Sequence, residues 1–97
     1  MLDVAAAAAP TEIGVAFVDR TGDTSLVLRL QRLAPDGVPI GAPVEVARLG
    51  SGFGAGAAIA TDGERYVVCG NGMPDGISCA LVPVGGSAAV AGASIPG

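Results

Sequence analysis

The sequence has 97 residues, of which 51% are hydrophobic and 3% aromatic, so it suits one small domain with a core built mainly from Ala, Val, Leu and Ile. Its formal net charge of −4 disfavours a nucleic-acid surface and attraction to anionic membranes. The sequence contains no histidine, which excludes His-based catalysis and His-containing zinc sites within this chain.

The chain starts with the stretch MLDVAAAAAP, residues 1–10. An acidic residue stands where a signal peptide needs a basic one, so we expect any export signal to lie upstream of this chain. The alanine run before Pro10 is too short to nucleate a helix, and we predict an extended lead-in or an edge strand. No window approaches 18 uninterrupted apolar residues, so no membrane insertion is expected.

Three further strands are predicted before residue 50. EIGVAFVD at 12–19 is apolar on both faces, which is typical of a strand inside a layered sheet. SLVLRLQRL at 25–33 alternates cleanly, with Leu26, Leu28 and Leu30 on one face, and APVEVAR at 42–48 alternates again. DRTGDT and APDG supply turns between them. The pattern predicts an all-β fold that needs no helix.

The second half of the chain repeats the first. An offset of 52 aligns EIGVAFVDRTGD (12–23) with ERYVVCGNGMPD (64–75), and beyond the turn the best offset falls to 49, which predicts a hairpin loop three residues shorter in the second repeat. AAIAT at 57–61 then corresponds to the lead-in at 5–9. We therefore predict a single domain over 1–97 made of two repeats, about 5–50 and 55–96. Four short strands per period of about 50 residues are typical of a β-propeller blade; a small β-sandwich or barrel is the alternative.

The two cysteines fall one on each side of the second hairpin. The offsets place Cys69 and Cys79 where Phe17 and Leu30 stand, which we expect to be an apolar cross-strand pair on the buried faces of adjacent strands. Opposed residues in a hairpin are close enough for a disulfide, which would indicate an oxidising compartment. The alternative is two buried free thiols acting as small hydrophobic residues.

Two family resemblances rest on these stretches. AAIATDGERYVVC and LRLQRLAPDGVPIGAPVEVA resemble blades of secreted β-propeller-like repeat proteins of myxobacterial type, which run through a D-G-x-x-Y-x-V-V turn and strand into R-L-x-x-D-G and a GxPV strand. GFGAGAAIATDGERYVVCG at 52–70 is more weakly similar to FG-GAP repeats of integrin-type propellers, although only Asp62 and Gly63 match the calcium loop of that family. Both resemblances imply a blade-like fold and no catalytic residue. Propellers need about four blades, whereas two are present here.

Candidate ligand sites are few. Asp19 and Asp23, with Asp75 in the equivalent loop, are too few for calcium, and Arg20 would repel a cation, so we expect turn acids and no metal or cofactor. GSGFGAG at 50–56 lacks the Lys and Ser/Thr of a phosphate loop and is interpreted as a connector, with Phe53 tucked against the core.

Other polar residues also have unremarkable interpretations. Tyr66 is expected to be a buried aromatic with its hydroxyl at the sheet edge. Arg29, Gln31 and Arg32 are expected to form a small polar face on the solvated side of a strand. The spacing of the cysteines is not the C-x-x-C spacing of redox-active pairs.

The sequence thus predicts a non-catalytic structural or interaction module, outside the cell or in the cell envelope, that presents loops to a protein partner or assembles into a larger ring. We expect the loops at Asp19, Arg20 and Asp23 and at Asn71 and Asp75 to emerge on the same rim and to form its binding surface. The alternative is a fragment of a larger propeller hydrolase whose catalytic residues lie elsewhere. The identity of the partner and the oligomeric state stay open.

Overall fold

The computed structural model describes residues 3–21, 25–50, 56–72, 76–86 and 91–95. Within these ranges every regular element is a β-strand, which confirms the all-β prediction. The strands are β1 (Asp3–Ala8), β2 (Ile13–Thr21), β3 (Ser25–Leu33), β4 (Pro39–Gly50), β5 (Gly56–Thr61), β6 (Arg65–Gly72), β7 (Gly76–Pro83) and β8 (Ala91–Ile95).

The strands form two antiparallel sheets of four strands each. The first sheet has the order β1-β2-β3-β4 and the second has the order β5-β6-β7-β8, so each strand pairs with its neighbours in the chain. The alanine-rich lead-in is the edge strand β1, and its counterpart in the second sheet is the edge strand β5. Neither sheet closes on itself within the described residues, and no propeller ring is formed by the two sheets.

The two sheets pack face to face over a core of small and medium-sized side chains. In β2 the core face carries Gly14, Ala16 and Val18, which are buried, while the residues between them are half-buried. In β3 the alternation read from the sequence holds, because Leu26, Leu28 and Leu30 all point into the core. The rest of the core cluster comes from β4, β6 and β7, namely Val44, Leu49, Tyr66, Val68 and Val82.

The turn between β5 and β6 shows why its sequence is Thr-Asp-Gly-Glu. Asp62 Oδ1 accepts hydrogen bonds from the backbone N–H groups of Glu64 and Arg65, each at 2.9 Å. Gly63 adopts φ of +96°, a left-handed conformation that residues with a Cβ rarely adopt. Thr61 Oγ1 accepts a hydrogen bond from the Gly63 N–H at 3.0 Å. These contacts hold β5 and β6 in register at this end of the sheet.

The β2–β3 and β6–β7 hairpins are equally tight. Thr21 opposes Ser25, and Gly72 opposes Gly76, so three residues connect the strands in each case. The prediction of a loop three residues shorter in the second repeat is therefore wrong. The connecting residues, 22–24 and 73–75, lie outside the described residues.

The hairpins also correct the offset between the repeats. The pair Thr21–Ser25 in the first repeat corresponds to Gly72–Gly76 in the second, an offset of 51. At the other end of the strands, the pair Ala8–Ile13 corresponds to Thr61–Tyr66, an offset of 53. Both offsets are odd, whereas the sequence alignment used the even value 52 at β2 and β6. Since side chains alternate between the faces of a strand, an odd offset exchanges the two faces.

This exchange defines how the sheets stack. The face of the first sheet that packs on the second sheet corresponds to the face of the second sheet that points away from the first. The sheets therefore stack front to back, with equivalent faces pointing in the same direction; we call this same-sense stacking. The contacts between strands agree with this arrangement, because β1 lies beside β5 while β4 lies beside β6 and β7.

Candidate functional site

A buried polar cluster lies where the β1–β2 turn meets the second sheet. Glu12, which is 4% exposed, accepts three hydrogen bonds of 2.9–3.1 Å from the Arg32 guanidinium. The Tyr66 hydroxyl donates to Glu12 Oε2 at 3.1 Å from the other sheet. Both carboxylate oxygens are therefore occupied, and the cluster joins the two sheets through one carboxylate.

The cluster holds its groups in fixed protonation states. Hydrogen bonds from Arg32 lower the pKa of Glu12, against the opposing effect of burial, and the Tyr66 hydroxyl lowers it further. The hydrogen bonds to Glu12 raise the pKa of Arg32. Burial, followed by the hydrogen bond to Glu12, raises the pKa of Tyr66 to about 12. With these pKa shifts, Glu12 and Arg32 stay charged and Tyr66 stays protonated near neutral pH. The cluster is therefore suited to holding the sheets together and not to proton transfer.

The ring of Tyr66 occupies space that a glycine leaves open. A Cβ on Gly14 would stand 2.6 Å from Tyr66 Cε1, closer than real side chains approach. Tyr66 is fully buried, as predicted, but its hydroxyl lies inside the cluster and does not reach a sheet edge. Arg32 likewise departs from the predicted polar face of Arg29, Gln31 and Arg32, because it follows Leu30 on the core side and pairs with Glu12.

Cys69 and Cys79 are directly opposed in β6 and β7 and form a disulfide with an S–S distance of 2.10 Å. The disulfide prediction is confirmed, but the predicted location on the buried faces is wrong. The residues that point into the core from β6 are Tyr66 and Val68, and the neighbouring Cys69 points outward and is half-buried. The predicted cross-strand pair of Phe17 and Leu30 is wrong too, since Phe17 opposes Arg29 and Leu30 opposes Ala16.

The disulfide lies in the middle of an apolar surface, which we call the cysteine face. It is the outward face of β5, β6 and β7, and includes Val67, which is 42% exposed, and Ile77, which is 43% exposed. One shallow hollow of about 260 Å³ is lined by Cys69 and Ile77, and a second of the same volume is lined by Val67 and Leu81. The other members of the cysteine face are Ala58, Ala60 and Leu81.

The outward side of the first sheet is divided into an apolar and a charged half. Over β1 and β2 it carries Val4, Ala6, Ala8, Ile13, Val15 and Phe17, which we call the N-terminal face. Over β3 and β4 it carries Arg29, Glu45 and Arg48. Arg48 pairs with Glu45 at 3.3 Å, and the buried Nε of Arg29 has no hydrogen-bond partner among the described residues.

The predicted binding rim is described in part. Asp19 Oδ1 accepts a hydrogen bond from the Arg20 N–H at 2.9 Å, a contact between neighbouring residues of β2. Asn71 lies at the end of β6, close to Gly56. Asp23, Asp75 and Phe53 lie outside the described residues, so the rim stays a prediction.

The described residues contain no group of three or more acidic or Cys side chains placed to hold a metal ion. They also contain no helix able to cross a bilayer. Comparison with protein-family models, with curated proteins and with solved structures finds no match.

Sequence reasoning overlooked the role of Glu12 and Arg32, although a signal for it exists. Continuing the alternation of β3 by one step puts Arg32 on the same side as Leu30. Continuing the alternation of β2 backwards puts Glu12 on the side of Gly14 and Ala16. Two opposite charges on one buried side of adjacent strands predict an ion pair.

Proposed function

We propose that this chain is a non-catalytic structural module, made of two propeller-type β repeats, that acts by assembling into a larger ring and by presenting its loops to a protein partner. The observation that carries this proposal is the same-sense stacking of two four-stranded sheets whose outward faces are apolar over β5, β6 and β7 and over β1 and β2. Contiguous apolar surfaces on a folded chain mark places where it contacts another molecule.

The arrangement of the strands supports the comparison with propeller blades. Blades are four-stranded antiparallel sheets whose consecutive strands are neighbours, and they stack around a channel lined by one edge strand of each sheet. β1 and β5 would be those strands, since they are the first strands of their sheets and lie beside each other. Their small residues, such as Ala5 and Ala57, allow the close approach that a narrow channel needs.

An extracellular or cell-envelope location is part of this proposal. The disulfide between Cys69 and Cys79 is half-exposed and would be reduced in a cytosol with an active thiol pool. The net charge of −4 suits a protein partner better than a nucleic acid. The hairpin ends near Asn71 and Asp19 would present the binding loops.

Electron microscopy of the purified chain, at concentrations where its mass exceeds 9.3 kDa, tests the ring. We expect closed particles of two to four copies with a central channel, because propellers contain about four to eight blades. Open filaments would contradict the ring while leaving stacking between copies intact. Compact particles of two sheets at every concentration would contradict the proposal as a whole.

A further inference from the structure

The cysteine face corresponds, residue for residue, to a surface that is already an interface. At the offset of 51, the opposed pair Cys69–Cys79 corresponds to the opposed pair Val18–Leu28, which points into the core. Val67 likewise corresponds to Ala16. Ala16 is 0% exposed because the second sheet covers it, whereas Val67 is 42% exposed. The cysteine face is thus the equivalent, in the second sheet, of the face of the first sheet that the second sheet covers.

The N-terminal face has the complementary relationship. At the same offset, Val68 of the second sheet corresponds to Phe17 of the first. Val68 is completely buried against the first sheet, whereas Phe17 points outward. Each sheet therefore has one face that corresponds to the Ala16 face and one that corresponds to the Val68 face. The contact between the sheets buries the Ala16 face of the first sheet against the Val68 face of the second. The cysteine face and the N-terminal face are the two that stay uncovered, and they correspond to the two faces of that contact.

We propose that the cysteine face packs on the N-terminal face of a second copy of this chain, in a head-to-tail contact that repeats the stacking of the two sheets within one chain. This inference rests on the proposed assembly function and names its partner and its two surfaces. A contact between two different surfaces is heterologous, so it generates closed rings, of which two copies are the smallest, or open stacks.

The charge distribution supports this pairing. Within the chain, the stack is shifted sideways, so that β2 contacts both β5 and β6, and β4 reaches β6 and β7. The same shift between copies would place β5, β6 and β7 over β1 and β2 of the next copy. The part of the outward face over β1 and β2 is apolar. β8 would lie over β2 and β3 of the next copy, so Arg29 on β3 would be covered, and the strand left uncovered is β4, which carries Glu45 and Arg48. The Glu45–Arg48 pair therefore lies where the repeated contact does not need an apolar surface.

The contact between copies lacks the polar bonds found within the chain. Asp3 Oδ2 accepts a hydrogen bond from the Ala57 N–H at 2.8 Å, but the counterpart of Asp3 in the second sheet is Ala58, which opposes Cys69 as Asp3 opposes Val18. The counterpart of Arg32 is Pro83, so no equivalent of the Glu12 ion pair is available. We therefore expect association through apolar contact that reverses on dilution.

Three matched valine-to-arginine variants test the proposal by light scattering. Val67→Arg charges the cysteine face and Val4→Arg charges the N-terminal face, at positions 42% and 54% exposed. Val38→Arg is the control, because Val38 is 57% exposed on the β3–β4 turn and belongs to neither face. Circular dichroism of each variant establishes that it is folded.

We expect the wild type and Val38→Arg to gain mass with concentration, while Val67→Arg and Val4→Arg each stay at 9.3 kDa. An equimolar mixture of Val67→Arg and Val4→Arg should form a complex of two copies and nothing larger, since only one intact pair of faces remains. Association of Val4→Arg alone would show that the cysteine face pairs with itself and would overturn the proposal. A wild type that stays at 9.3 kDa at all concentrations would overturn it as well.

Discussion

Tyr66 and Glu12 join the two sheets: the hydroxyl on β6 donates to the carboxylate that precedes β2, at 3.1 Å. Tyr66 is the only tyrosine in the chain, and its ring is fully buried. Because Glu12 also accepts from Arg32, the tyrosine bonds to a charged and already oriented group. Hydrogen bonds to charged groups are stronger than those between neutral groups.

We expect Tyr66→Phe to lower the free energy of unfolding by about 1.5 kcal/mol, since it removes one hydrogen bond to a charged group and retains the ring. Glu12→Gln should cost more, about 3 kcal/mol, because it leaves the mostly buried Arg32 without its counter-charge. Urea unfolding followed by circular dichroism measures both. Glu64→Gln is the matched control, as Glu64 is exposed and should be near neutral. Equal effects of all three substitutions would contradict the assigned role of the cluster.

The cluster also predicts the dependence of stability on pH at both ends of the scale. The pKa of Glu12 lies below its ordinary value of 4.5 in the folded chain, so its contribution is present above that pH and is lost as the pH falls through the lowered value. The pKa of Tyr66 is raised to about 12, so its contribution is complete below pH 10 and is lost as the pH rises towards 12.

The phenolate absorbance of the single tyrosine checks the alkaline part of this prediction directly. Titration of the folded protein should give a midpoint well above that of the unfolded protein, and Glu12→Gln should shift the folded midpoint downwards. A folded midpoint equal to that of the urea-unfolded chain would show that the hydroxyl is not buried against Glu12. On the acidic side, wild type and Glu12→Gln should converge in stability as the pH falls.

Much of this architecture could be predicted from the sequence. Alternation in β3 located Leu26, Leu28 and Leu30 correctly, and the glycine-containing turns located the strand ends. The pairing of Cys69 with Cys79 followed from their positions on either side of a hairpin. These features depend on local periodicity and turn chemistry, which a single sequence displays.

The faces of the second sheet could not be predicted in the same way. Aligning the repeats by residue similarity gave an even offset, and a one-residue error in register moves every side chain to the opposite face. Cys69 was therefore assigned to the core, where Val68 actually lies. The contact between Tyr66 and Gly14 was also out of reach, because it depends on how the two sheets are stacked and not on either strand alone.

The close approach of Tyr66 to Gly14 yields a further prediction. Gly14→Ala should lower the free energy of unfolding by about 2 kcal/mol, since its Cβ would overlap the Tyr66 ring and force it to shift. Gly92→Ala is the control within a strand, because its Cβ would meet only the Cys79 carbonyl oxygen at 3.5 Å, an ordinary contact. If both substitutions had the same effect in thermal unfolding, the packing described at Gly14 would be incorrect.

The disulfide should stabilise the fold by restricting the unfolded chain. Cys69 and Cys79 are 10 positions apart, and closing a loop of this length contributes about 2 to 3 kcal/mol. We expect reductant to lower the free energy of unfolding of the wild type by this amount and to leave a Cys69→Val/Cys79→Val variant unaffected. Thiol labelling in denaturant should find no free thiol before reduction and two thiols after it. Any free thiol before reduction would contradict the disulfide.

Methyl relaxation by a soluble paramagnetic agent, measured by NMR over a range of protein concentrations, tests the central claim most directly. Val67 and Val68 are neighbours on opposite faces of β6, and they are 42% and 0% exposed. In dilute protein the Val67 methyl groups should relax rapidly and those of Val68 slowly, and at high concentration Val67 should become as protected as Val68. Val67 methyl groups that stay accessible at every concentration would contradict the stacking of copies, and accessible Val68 methyl groups would contradict the fold.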